Sequence, residues 1–100
     1  MEIKTTIDGT AATFAIAGKL TVQTAPELEA AIDAIPEEVC DLIIDLSEVD
    51  YVSSAGLRVF VATDKLAVKR GGTFTLLHPC ADVYDVLEMT GLVDIFTIER

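Results

Sequence analysis

The stretch Asp45-Leu-Ser-Glu-Val-Asp-Tyr-Val-Ser-Ser-Ala-Gly-Leu57 constrains this chain more than any other. It continues a short apolar run, residues 41 to 46, suited to a central buried strand. A short turn and a pair of serines follow, and a helix is expected from about residue 55 to residue 70. The helix has Lys69 and Arg70 in its last turn, where positive charge complements the dipole, and Gly71-Gly72 to stop it. A strand feeding a helix in this way is half of a crossover unit, so the question is how much of the chain repeats it.

Most of it does. Residues 3 to 8 and 11 to 17 alternate around Asp8-Gly9 and read as a hairpin. Residues 18 to 23 read as a loop. Thr24-Ala-Pro-Glu27 announces a helix: the Thr24 hydroxyl is placed to accept from the Glu27 amide, with Glu27 reaching back. Pro26 sits in the first turn, Leu28, Ala31, Ile32 and Ile35 recur at helical spacing, and Pro36 ends the segment. Residues 73 to 78 form another strand, 81 to 90 a third helix stopped at Gly91, and 93 to 98 a last strand. The order β-β-α-β-α-β-α-β predicts one α/β domain over residues 1 to 100, with a mixed, mostly parallel sheet packed by helices.

The bulk composition narrows the function classes. The 100 residues carry 17 acidic and 7 basic side chains, a net charge of −10. That balance argues against phosphate-backbone binding and against anionic membrane surfaces. An apolar fraction of 51% with 24% charged residues suits a folded globular chain. The start of the chain is polar and alternating, unlike an export signal, and no apolar run approaches a membrane span. Cys40 and Cys80 are far apart and are expected as free, buried thiols.

Catalytic constellations are missing from the pattern. His78 is the single histidine, without an evident nucleophile and acid to complete a set. Ser54 is outside a Gly-x-Ser-x-Gly elbow, no phosphate-cradling glycine loop occurs, and metal ligands are scattered. The expectation is no catalytic residue, no cofactor and no metal. Ser54 remains the informative residue. At the start of the second helix it either caps that helix or carries a phosphate. Leu57, Phe60, Val61, Ala67 and Val68 form one apolar face of that helix, read as core. Val59, Ala62 and Leu66, beside Thr63, form another, read as lying near a docking surface.

The segment from Asp45 to Arg58 resembles the signature of STAS domains, in particular the anti-sigma factor antagonists. Gly18-Lys-Leu-Thr-Val-Gln-Thr-Ala-Pro-Glu-Leu28, Gly71-Gly-Thr-Phe-Thr-Leu-Leu77 and Val86-Leu-Glu-Met-Thr-Gly-Leu-Val-Asp-Ile-Phe96 match further pieces in the same order. The resemblance implies a cytoplasmic, non-enzymatic partner switch. Its unphosphorylated form holds a serine kinase of the histidine-kinase-like ATPase superfamily that is also an anti-sigma factor. Phosphorylation releases it, and a metal-dependent serine phosphatase resets the cycle.

The family's phosphoserine aligns with Ser54. Ser53 stands where the family carries Asp, Ala55 where it carries Ser or Thr, and Thr21 where many members have a loop carboxylate near the phosphosite. The partner-binding set expected from this resemblance and from the helix faces is Thr21, Ser53, Ser54, Gly56, Arg58, Val59, Ala62 and Leu66. Gly56 would permit close approach of a partner backbone, and Arg58 would pair with phosphate or with a partner carboxylate. Many relatives continue with another helix after the last strand, so a surface usually covered by that helix is open here or the chain is short. An alternative from the same fold is a constitutive STAS subunit, for instance beside a lipid-transport ATPase, with no turnover of phosphate.

Overall fold

The computed structural model describes all residues, 1–100. Its elements are β1 (Glu2–Asp8), β2 (Ala11–Leu20), α1 (Ala25–Asp33), β3 (Asp41–Val52), α2 (Ser54–Lys69), β4 (Phe74–Leu77), α3 (Ala81–Met89), a 3-10 turn at Leu92–Asp94, and β5 (Thr97–Glu99). The five strands lie side by side in chain order. β1 pairs antiparallel with β2 through the hairpin, and β2, β3, β4 and β5 are mutually parallel. This is the mixed, mostly parallel sheet that the strand and helix order predicts.

Sequential parallel strands joined by right-handed crossovers put every crossover helix on the same side of the sheet. The burial pattern agrees. Ala12, Phe14 and Ile16 of β2, Leu42, Ile44 and Leu46 of β3, and Phe74 and Leu76 of β4 are all buried, and form one core with Leu28 and Ile32 of α1, Phe60 and Ala67 of α2, and Val83 and Leu87 of α3. Phe74 meets Phe96 edge-on, with ring centroids 5.2 Å apart. The opposite sheet face, with Thr13, Ala15, Ile43, Asp45, Thr75 and Leu77, is only partly buried.

Several local expectations are corrected. The third strand does not stop at Leu46 but runs to Val52, paired with β2 as far as Leu20. Two register shifts in that pairing, typical of β-bulges, break the alternation. Inward residues then fall three apart, at Leu46, Val49 and Val52, with Ser47, Glu48, Asp50 and Tyr51 exposed between them. A period-two reading takes those polar residues as a turn. For the same reason β2 continues through Gly18 and Lys19 to Leu20, where the sequence reads as a loop.

The expected last strand over 93 to 98 is instead a 3-10 turn followed by three strand residues. The amides of Ile95 and Phe96 both donate to the Leu92 carbonyl and are spent before pairing can begin. The thiols are free, but Cys40 is only partly buried and Cys80 is exposed.

Thr24 does not form the expected capping box. Its hydroxyl donates to the Lys19 carbonyl (2.7 Å) and accepts from the Thr21 amide (2.8 Å), so it pins the preceding loop rather than the helix.

At the other end of the sheet, Gly72 allows α2 to run into β4 directly over the loop before β3. An added Cβ there would overlap the Cys40 carbonyl. Arg70 closes the same corner, donating from Nη1 to the carbonyls of Pro36 (3.0 Å) and Val39 (2.7 Å).

Candidate functional site

The carboxyl ends of parallel strands are where open α/β sheets present ligand and partner sites. Here that edge carries the β2–α1 loop and the junction of β3 with α2, stitched together by the Ser53 amide donating to the Leu20 carbonyl at 2.8 Å. Ser53 is extended (φ −84°, ψ 172°), and its Oγ accepts from the Gly56 amide at 3.3 Å. Its carbonyl accepts from the Leu57 amide at 3.0 Å. These are the marks of an N-cap residue. Ser53 is therefore the cap, and Ser54 is the first residue of the helix, exposed, with a side-chain hydroxyl that makes no hydrogen bond within the chain. The capping role considered for Ser54 is filled by its neighbour.

The two serines differ because backbone geometry assigns them different jobs. An extended residue just before a helix turns its side chain back over the free amides of the first turn. One residue later, the side chain points outward. Gly56, at the third helical position, is buried, and an added Cβ would lie 2.7 Å from the Leu20 side chain and 3.0 Å from Val52 Cγ1. The missing side chain thus lets α2 sit tightly on the ends of β2 and β3. It does not open a path to a partner backbone, contrary to expectation.

Thr21 is half-buried, and its Oγ1 accepts from the amides of Gln23 (3.1 Å) and Thr24 (3.3 Å). This is the local turn chemistry that Asp or Asn also provides. Thr21 thus holds the loop beside the Ser53–Ser54 junction, with its hydroxyl engaged inside the chain.

The α2 faces also need correction. Val59 is buried (5% exposed), while Val68, read as core, is 68% exposed. Thr63 is buried and satisfies its hydroxyl on the Val59 carbonyl at 2.6 Å. Leu57 and Val61 are partly buried, and with Ser54, Arg58, Ala62 and Lys65 they line a cleft of about 480 Å³ closed on its far side by Thr90 and Leu92. Ala62 also borders a smaller cleft of about 210 Å³, shared with Leu66 and with Glu29 and Asp33 of α1. The expected set is therefore split. Ser54, Arg58 and Ala62 meet at the larger cleft, and Leu66 lies with Ala62 at the smaller one. Ser53 and Thr21 hold the frame, Gly56 is inside, and the buried Val59 forms part of the wall of the smaller cleft.

Sequence reasoning missed Leu57, Val61, Lys65, Thr90 and Leu92. Lys65 is seven residues past Arg58, two turns along the same face, and that spacing could have found it. Thr90 and Leu92 reach the cleft only through the packing of the segment after α3, which no local pattern encodes.

Charge is unevenly distributed. α2 carries three cations, Arg58, Lys65 and Lys69, against one carboxylate, Asp64. The chain as a whole has 17 acidic and 7 basic residues, yet the larger cleft has Arg58 and Lys65 in its lining and no carboxylate. His78 is exposed, with φ 55°, and its amide donates to the Glu99 carbonyl. Its imidazole makes no hydrogen bond to a nucleophile or an acid. No helix is long and apolar enough to cross a membrane.

A sheet of sequential parallel strands behind one antiparallel hairpin, with an exposed serine opening a helix beside an apolar, cation-edged cleft, defines a small α/β domain of the STAS type. The chain belongs to the STAS domain family, whose model matches residues 2–100. It is 39% identical over 83 residues to the anti-sigma-B factor antagonist of Bacillus subtilis (strain 168), covering 83% of this chain and 76% of that one. An anti-sigma factor antagonist from Mycobacterium paratuberculosis superposes with a TM-score of 0.84 at 27% identity, over 99% of this chain and 85% of the other. The fold is also that of the Bacillus cell-fate determinant SpoIIAA in its phosphorylated form, with a TM-score of 0.77 at 15% identity, covering 99% and 92% of the two chains.

Proposed function

We propose that this protein is a non-enzymatic anti-sigma factor antagonist that acts in the cytoplasm and is switched by phosphorylation of Ser54. The observation that carries the reading is the division of labour at the head of α2. Ser53 caps the helix, which leaves an exposed, unengaged hydroxyl one residue on, at the rim of the cleft.

In the unphosphorylated form, an anti-sigma factor that is itself a serine kinase docks over the first turns of α2 and is kept from its sigma factor. The kinase then transfers the γ-phosphoryl group of ATP to the Ser54 Oγ. The hydroxyl proton passes to a base of the kinase, and ADP leaves. Because Ser54 bears no structural hydrogen bond, the new ester disturbs nothing that holds the fold.

The product carries about −1.5 to −2 charges at neutral pH. An unfavourable pair of unit charges 4 Å apart at a partly desolvated protein surface costs about 4 kcal/mol. A hundredfold loss of affinity needs only about 2.7 kcal/mol. One phosphate facing an acidic or closely packed partner surface is therefore sufficient for release. A metal-dependent serine phosphatase removes the group and restores the docking form.

Two measurements test this. Phosphopeptide mass spectrometry of the protein from its own cells should place phosphate on Ser54. Paired affinity purifications in the presence of ADP should retain a kinase-fold protein on wild type and lose it on Ser54→Asp. Retention of the same partner by both baits refutes the switch.

A further inference from the structure

We propose that Arg58 is the receptor, within the same chain, for the phosphate carried by Ser54. The guanidinium turns back over one helical turn, pairs with the phosphate, and is thereby withdrawn from the cleft it otherwise edges. The proposal rests on the reading of Ser54 as the phosphoacceptor.

Ser54 and Arg58 both belong to α2, both are exposed, and both line the larger cleft. Residues four apart on a helix stack on one face with Cβ atoms about 5–6 Å apart, and an anion N-terminal to its cation is the favourable order. Arg58 is free to respond. The one ion pair in the chain joins Lys19 to Asp50, and Arg58 donates no hydrogen bond. Nor does an acidic neighbour in the cleft compete for it, since none of the lining residues is a carboxylate. A planar guanidinium matches a phosphate in two parallel hydrogen bonds, which an ammonium cannot reproduce.

Lys65, the other cation of the cleft, is eleven residues from Ser54, about 16 Å along the helix axis. That exceeds a Debye length at physiological salt, so Lys65 remains a bystander to the phosphate. Phosphorylation then does two things at once. It adds negative charge at one end of the cleft, and it cancels the positive charge nearest that end. A partner carboxylate that had paired with Arg58 loses its counter-ion to a covalently tethered competitor.

The test uses the full chain with phosphoserine installed at position 54 by codon suppression, titrated by phosphorus NMR. The second ionisation of the phosphate in the otherwise wild-type chain should fall about 0.3 pH units or more below that of the Arg58→Gln variant, because the guanidinium favours the dianion. Lys65→Gln should leave it unchanged, and Arg58→Lys should recover part of the shift. The Arg58 Nε–H resonance should move downfield when phosphate is present. Identical titrations for wild type and Arg58→Gln, or an equal effect from Lys65→Gln, overturn the proposal. Since the phosphoserine is encoded directly, this outcome is independent of whether cells phosphorylate Ser54, which mass spectrometry decides separately.

Discussion

The Oγ of Ser53 accepts from the Gly56 amide at 3.3 Å, and that single bond separates the structural serine of this junction from its exposed neighbour. The two hydroxyls should behave differently under deletion. Ser53→Ala removes the cap of α2 and should cost about 1 kcal/mol. Ser54→Ala removes an unbonded surface hydroxyl and should stay within about 0.5 kcal/mol of wild type. Urea denaturation followed by circular dichroism measures both, and the reverse order of effects would contradict the assignment.

Gly56 tests whether the glycine serves the core. Alanine would gain up to about 1 kcal/mol in helix propensity. Its Cβ, 2.7 Å from the fully buried Leu20 side chain, overpacks the contact between α2 and β2. Overpacking typically costs about 1–3 kcal/mol, so Gly56→Ala should be destabilising by about 1 kcal/mol in the absence of any partner. A variant as stable as wild type that loses only partner binding would return Gly56 to the docking surface.

Gly72→Ala should be worse. There the obstacle is the Cys40 backbone carbonyl, which cannot rotate away as a leucine can. We expect a loss of about 3 kcal/mol and a melting temperature clearly below that of Gly56→Ala.

Thr24 ties the β2–α1 loop to the end of β2 through Lys19 and Thr21. Thr24→Val keeps the shape and removes all three hydroxyl contacts, to the Lys19 carbonyl, the Thr21 amide and Thr21 Oγ1, so it should cost about 1–2 kcal/mol. Faster hydrogen exchange should be confined to the amides of residues 21 to 24. Protection unchanged across that loop would show that the hydroxyl is dispensable.

The architecture was legible because hydrophobic periodicity and turn chemistry agreed along most of the chain. The hairpin at Asp8-Gly9, the stop at Gly71-Gly72 and the alternation of strands with helices all carry local signals. Three things were not local. The shifted pairing of β2 with β3 changed the inward period at Val49 and Val52, so a strand looked like a turn. Apolar residues on more than one side of α2 could not reveal which side met the sheet, and Val59 and Val68 were exchanged between core and surface. The far wall of the cleft, Thr90 and Leu92, depends on tertiary packing alone. Ser54 itself was legible as a candidate, but its release from capping duty is visible only in the geometry of Ser53.

The most direct test of the switch is calorimetric. The purified anti-sigma factor, with ADP, is titrated with this protein in two forms, unmodified and carrying phosphoserine at position 54. The account predicts a specific complex with the unmodified form and an affinity at least about 100-fold lower with the phosphorylated one. Equal affinities would show that Ser54 does not govern docking and that the domain is a constitutive binding subunit.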